Sequence, residues 1–301
     1  MWFKNFRFYQ FTKPFEENAD SLTEKLSEYP FHPCKRTDFR TQGWLPPLGQ
    51  KSTQLVHSSN RHLLISLSTQ EKMIPNSYLR ELLTERVQEL EDRQGHKLGK
   101  REKANLKDEI FHDLLPQAFT KTAQTFAWIA PQQQWLIIDA ASEKKAAEMI
   151  DFLRKSCDSL PVRPLDTHMS PDTVMTQWLQ DHSPSDITAD DSCELFDPDE
   201  SGNVIRCKHQ DLNSDEISQH LRVGKRVSQL GIIWQDRLSM ILQSDLSIKR
   251  LRLMDVLQQQ REDTHAETAL EQLDADFVLM TLEMEKFLPQ LFEHCGGENK
   301  D

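Results

Sequence analysis

Residues 76–116 carry a helical pattern that two glycines cut in half. Leu79, Leu82, Leu83, Val87 and Leu90 recur at the 3.6-residue period of one helix face. Gly95 and Gly99 interrupt the pattern. Leu106, Ile110, Leu114 and Leu115 resume it from near Arg101, and Pro116 ends it. Asn76 or Ser77 is placed to cap the first helix. Such a run folds back as a helical hairpin or, if the glycines do not break it, continues as one longer arm. Its charge is also out of keeping with the rest of the chain. Residues 93–107 hold six Lys or Arg against one Glu, in a chain of 301 residues with a formal net charge of −12. A charge run is most often a solvated helix face. A positive field confined to one place on a negative body also suits a polyanion, held there and repelled elsewhere.

The flanking segments read as strands and helices of an α+β fold with antiparallel sheets. Trp2–Phe11 alternates, with Trp2, Lys4, Phe6, Phe8 and Gln10 on one face. Ser21 is expected to cap a helix with Glu24 returning the bond, and that helix stops before Pro30. Gly43-Trp44-Leu45-Pro46-Pro47-Leu48-Gly49 reads as a rigid loop. Strands follow at 53–57, 62–68, 119–129 and 134–139. Ser142 caps a helix running to about Cys157, with Ala146, Met149, Ile150 and Leu153 inward. Ser170-Pro171 opens another, with proline at the first helical position.

Residues 181–200 contain eight carboxylates and no Lys or Arg, and read as an acidic linker. A strand at 203–210 comes next, then a helix capped by Asn213 with Glu216 at its third position. Strands at 226–234, 236–243 and 246–254 lead into a mostly helical end. From Asp255 to Asp301 twelve acidic residues stand against three basic ones. The expected domains are 1–75 with 117–165, an inserted helical hairpin at 76–116, and an α/β unit at 166–301 with an acidic helical end.

Several function classes lose support at this level. The apolar runs are short, Trp135-Leu136-Ile137-Ile138 among the longest, against the ~20 residues of a membrane span. The N-terminus alternates like a strand and lacks the apolar core of a signal peptide. Five scattered cysteines (34, 157, 193, 207 and 295), with no CxxC pair, fit a reducing cytoplasm and no disulfide framework. Gly95-His96-Lys97-Leu98-Gly99-Lys100 is one residue short of a phosphate-binding loop, lacks the following Ser/Thr, and follows no strand. Asp197-Pro198-Asp199-Glu200-Ser201-Gly202 begins like a calcium loop but has Lys208 where a bidentate glutamate is needed, so it reads as a turn. The pairs His32/Cys34, Cys207/His209 and His294/Cys295 give no zinc ligand set. No Ser, His or Asp falls in a nucleophile motif. No catalytic residue, metal or cofactor is therefore assigned.

Cations recur on the expected strands. Arg206 and Lys208 share one face, as do Arg250 and Arg252, and Arg222, Lys225 and Arg226 lie nearby in sequence. An antiparallel sheet can leave one face wet and charged, but such a face also suits a polyanion. Phe119, just after the Pro116 stop, either begins a strand and packs inward or is an exposed anchor for a partner subunit.

Ordered matches along the chain add a resemblance. Trp2-Phe3-Lys4-Asn5, Gly43 to Gly49, Leu106-Lys107-Asp108-Glu109 and Leu114-Leu115-Pro116-Gln117-Ala118-Phe119 are four of them. Leu153-Arg154-Lys155-Ser156, Lys208-His209-Gln210-Asp211-Leu212 and Asp274-Ala275-Asp276-Phe277 are the others. In these residues the chain resembles the bacterial recombination-associated RdgC family over essentially its whole length. The family pattern has a second basic residue where His209 stands, and a more continuous Lys-rich helix where Gly95 and Gly99 fall.

The resemblance implies an elongated mixed α/β subunit that closes as a ring-shaped homodimer, with Phe119 at the dimer interface. The ring would encircle double-stranded DNA without reading sequence and restrain the RecA recombinase. Single strands would be a second ligand, and the setting the cytoplasm and nucleoid. Basic residues would line the hole and the acidic blocks face out. The expected contacts are Lys97, Lys100, Arg101, Lys103 and Lys107 on the hairpin, then Arg206, Lys208, Gln210, Arg222, Lys225, Arg226, Arg250 and Arg252. The rival readings are a protein module acting directly on recombinase filaments and a metal-dependent DNA-processing enzyme.

Overall fold

Two twelve-residue strands form the spine of the molecule. His62–Met73 and Phe119–Ala130 pair antiparallel without a break, from Leu63 opposite Ile129 to Met73 opposite Phe119. The structure is a computed structural model and describes residues 2–49, 52–181, 183–199, 202–263, 266 and 268–299. Its first half runs β1 (Arg7–Phe11), α1 (Ala19–Ser27), β2 (Arg40–Leu45), β3 (Val56–Ser59), β4 (His62–Met73), α2 (Asn76–Gln94), α3 (Lys100–Leu114), β5 (Phe119–Ala130), β6 (Trp135–Ile138), α4 (Glu143–Ser156) and β7 (Val162–Pro164). Its second half runs α5 (Pro171–Gln180), β8 (Ile187–Phe196), β9 (Val204–Lys208), α6 (Asp215–Arg222), β10 (Arg226–Trp234), β11 (Leu238–Gln243), β12 (Ile248–Leu253), α7 (Asp255–Glu262) and α8 (Ala269–His294).

The first sheet has the order β2-β4-β5-β6-β1-β7, with β3 beside β2 on the same edge of β4. The second has the order β12-β11-β10-β8-β9. All these pairings are antiparallel. Period-two alternation gives the first sheet two dry faces. Leu63, Ile65, Ala127, Ile129, Leu136 and Ile138 turn to one side, under Leu22 and Leu26 of α1 and Met149 and Leu153 of α4. Phe8, Leu64, Trp128, Trp135 and Ile137 turn to the other and meet α8.

Helix α8 lies between the two sheets. Phe292 packs edge-on to Phe8 and Trp135 of the first, and Phe287 lies 5.4 Å from Trp234 of the second. Each such side chain, taken fully out of water, contributes roughly 1.5–3 kcal/mol. The acidic end expected to face outward is thus in large part core. Asp276 and Glu283 are buried and take the guanidinium groups of Arg261 and Arg237.

Other expectations are corrected. The strand foreseen over Trp2–Phe11 is divided: Lys4 and Phe6 bond to Leu251 and Ile248 at the edge of the second sheet, and only Arg7–Phe11 belongs to the first. Asn18, not Ser21, caps α1. Its side chain accepts from the backbone of Asp20 and Ser21, and Ser21 takes the third position. Gly43 to Leu45 belong to β2 instead of a loop. Glycine is required there because a Cβ on Gly43 would sit 2.3 Å from the Phe31 Cα. Ser214, one residue after Asn213, takes the N-cap position of α6 without a side-chain capping bond, and Pro75 precedes α2 in place of an Asn76 or Ser77 cap.

The acidic linker contains β8, the strand between β10 and β9. Ile187, Cys193 and Leu195 point into the core, while carboxylates take the solvent side. Of the calcium-like residues that follow β8, Glu200 and Ser201 lie outside the described residues.

Candidate nucleic-acid interface

The wet face of the second sheet is where cations converge. Along β9, Cys207 is buried while Arg206 and Lys208 are exposed, as period two requires. On β12 the period fails. The register slips by one residue against β11 between Ser239 and Ile241, and Arg250 adopts a left-handed φ of 55°. The bulge brings Lys249, Arg250 and Arg252 to the same side. With Arg206 and Lys208 they line a shallow, solvent-open concavity of about 520 Å³, which also receives Asp190, Asp191 and Glu194 from β8.

Four sequence-predicted residues, Arg206, Lys208, Arg250 and Arg252, therefore meet at one site. Lys249 was missed, because unbroken alternation would place it on the opposite face from Arg250. Its Nζ donates to Gln243 Oε1 at 2.9 Å.

Carboxylates restrain part of this set. Arg206 Nε donates to Glu194 Oε2 at 2.6 Å, and His209 Nδ1 lies 2.7 Å from Asp191. Lys225 is 3.2 Å from Asp197 with its side chain only 15% exposed, and Arg226 is 3.4 Å from Asp172. Gln210 donates to Glu216 in a recess beside the concavity, and Arg222 is exposed in the last turn of α6. Arg222, Lys225, Arg226 and Gln210 do not line the concavity itself. Lys208, Arg250 and Arg252 form no ion pair with a described residue.

The other cationic group lies at the far end of the β4–β5 ladder, on α2, α3 and the residues between them. Gly95 ends α2 in a left-handed cap with φ 70°, so the glycines do break the helix. Glu91 closes the connection. Its carboxylate accepts from the Leu98 N–H and takes Lys103 at 3.1 Å, and these two hold its pKa below the ordinary range. Lys97, Lys100, Arg101 and Lys107 are exposed. None of these residues lines the concavity of the second sheet. At the base of the helices Lys72 donates to the Leu115 carbonyl, and Phe111 packs on Phe39.

Phe119 is 85% exposed, which overturns the inward-packing expectation. Its register partner Met73 is 54% exposed, and Phe39, whose carbonyl bonds the neighbouring Lys72, is also exposed.

The five thiols are all free. Burial pushes the Cys193 thiol up to about 12, which keeps it protonated. Among the described residues no three His, Cys, Asp or Glu side chains converge as a metal site, and no helix is long and apolar enough to cross a membrane.

Comparison with known proteins covers the whole chain. The family described as "Putative exonuclease, RdgC" matches residues 1–298. A protein of Aeromonas hydrophila named recombination-associated protein RdgC is 44% identical over 100% of this chain and 99% of its own length. Proteins of the same name from Tolumonas auensis and Pseudomonas aeruginosa are 42% and 44% identical, over 100% and 99% of this chain and 100% and 98% of their own.

Proposed function

The chain belongs to the RdgC family, whose curated relatives carry the name recombination-associated, and from that membership we propose that it binds duplex DNA without sequence preference. The observation that carries the reading is the concavity of the second sheet. Five cations, Arg206, Lys208, Lys249, Arg250 and Arg252, gather with three carboxylates on one wet face of a chain whose net charge is −12, while the opposite face is core. Lys and Arg near phosphates release condensed counterions, and that release supplies most of the affinity. Phosphate contacts fix position without reading bases, so binding is broad.

In this reading two copies close into a ring around the duplex, with single strands as a second ligand. The exposed Phe119 and Met73 seat one subunit on the other, and α2 and α3 project as a hairpin that adds Lys97, Lys100, Arg101 and Lys107 to the electrostatic wall. The protein acts as a binder and not as an enzyme. It restrains RecA by occupying the duplex, and so associates with the nucleoid. The description of the family as an exonuclease favours a second reading, metal-dependent cleavage.

Two assays separate these. End-labelled duplex incubated with magnesium or manganese is expected to remain intact, and shortening of the label would favour the nuclease. A ring is expected to stay on a closed circular duplex through a salt challenge and to leave the same duplex once it is linearised. Equal release from both forms would exclude encirclement.

A further inference from the structure

Arg206 is the cation of the concavity that already holds an anion. The β8–β9 register sets Glu194 directly opposite Arg206, and the two join at 2.6 Å. The arginine side chain is 71% exposed and the glutamate 17%. The glutamate is fixed from behind. Ser228, on β10, donates its Oγ to Glu194 Oε1 at 3.1 Å and shares it with the Glu194 carbonyl at 3.2 Å. The carboxylate is thus held across three strands, while the arginine reaches it from the solvent side. Lys208, two residues along the same strand, has no such partner among the described residues.

A guanidinium presents the same planar fork to a carboxylate as to a phosphate. The two anions therefore compete for Arg206. The arginine side of the pair is open to solvent, which weakens the pair and lets a phosphodiester compete for Arg206. The Ser228 hydrogen bond and the burial of the carboxylate favour its present position over following the arginine. The carboxylate stays under the phosphate as a like charge. We propose that Glu194 is a fixed internal competitor for DNA phosphate at Arg206, setting the affinity of the basic face below what its cations alone would give. This rests on the duplex-binding reading of the same face.

The test is a double-mutant cycle on the full chain, read by fluorescence anisotropy on a random duplex of about 30 base pairs in EDTA. Glu194→Gln keeps the size of the side chain and an acceptor for Ser228, and Glu194→Thr, a strand-compatible neutral residue, is the second variant if the first does not fold. Either variant is expected to tighten binding roughly 3- to 10-fold near 0.1 M salt and to steepen the salt slope by about 0.9 per protomer engaged, one added phosphate contact. In an Arg206→Ala background the same change is expected to give less than about a twofold gain, because the freed cation is missing.

Equal tightening in both backgrounds would overturn the proposal, since Glu194 would then act only as bulk negative charge. Unchanged or weaker binding by the Glu194 variants, with Lys208→Ala still weakening the complex, would overturn it and leave the duplex reading standing. Absence of duplex binding by the wild type would remove both.

Discussion

Arg237 grips Glu283 with both arms of its guanidinium: Nε donates to Oε2 at 2.7 Å and Nη2 to Oε1 at 2.8 Å. The pair ties the turn between β10 and β11 to the central helix α8, and Lys286 adds a third bond at 3.1 Å. Glu283 is 2% exposed. Burial alone would raise its pKa, but Arg237 and Lys286 outweigh burial and hold it below the ordinary carboxylate range. Breaking such a pair from one side leaves a charge uncompensated, so Glu283→Gln is expected to cost about 2–4 kcal/mol in urea unfolding. A loss under about 1 kcal/mol would show that the helix needs only its apolar packing.

Stability is expected to fall with acid in two stages. His62, on β4, is buried against Trp128. Burial lowers its pKa and the partnering Glu285 only partly opposes this. The unfolded chain therefore takes up a proton near pH 6.5 that the folded chain refuses, and stability drops as the pH falls through that range. Asp276 and Glu283 have depressed folded pKa values; burial would raise Asp276, but Arg261 and its other hydrogen-bond partners, Gln272 among them, together outweigh burial. Their contribution is complete above the ordinary carboxylate range and is lost as the pH falls below it. Asp139, raised by burial, works the other way. Melting temperatures between pH 7.5 and 5.5 test the first stage: His62→Gln should flatten the decline, and a variant that declines as steeply as wild type would assign it elsewhere.

Phe119 and Met73 expose apolar surface that a monomer has no folding reason to carry. Phe119→Glu is expected to leave unfolding free energy within about 0.5 kcal/mol of wild type, as a surface change does. It should raise the concentration at which the proposed dimer forms, measured by sedimentation velocity. Identical sedimentation of the two proteins would move the interface away from Phe119.

The cations of α2, α3 and their connection form a separate group. Replacing Lys97, Lys100, Arg101 and Lys107 by Ala is expected to weaken binding to all duplex sequences alike. It should also flatten the salt slope by about 0.9 for each phosphate no longer neutralised. Unchanged affinity would mean that these helices face solvent and not DNA.

The sequence was most legible where one period ran unbroken. Ser142 and the stripe of Ala146, Met149, Ile150 and Leu153 define α4 as expected, and Arg206 and Lys208 emerge on one face of β9. It was least legible where two signals overlapped. Asp190, Asp191 and Glu194 made β8 look like a linker, although Cys193 and Leu195 keep the alternation of a strand with one wet face. The bulge at Arg250 could not be foreseen from period two, and it is what brings Lys249 to the site. Lys249→Ala therefore distinguishes the two views: it should weaken duplex binding about as much as Lys208→Ala, whereas unbroken alternation predicts no effect. The role of α8 was hidden for a different reason. Its carboxylates mark it as acidic, but Arg237, 46 residues from Glu283, and Arg261 on the preceding helix neutralise two of them inside the core.

The central claim is that the basic face of the second sheet binds duplex phosphates. Its most direct test is the anisotropy of a random duplex of about 30 base pairs, titrated in EDTA across a salt series, for wild type and for Lys208→Ala/Arg250→Ala/Arg252→Ala. Metal-independent binding whose logarithm falls linearly with log salt, with a slope steeper than about −4 that the triple variant flattens by about 2–3 for each protomer engaged, is the predicted result. No binding at low salt, or a slope that the triple variant leaves unchanged, would contradict it.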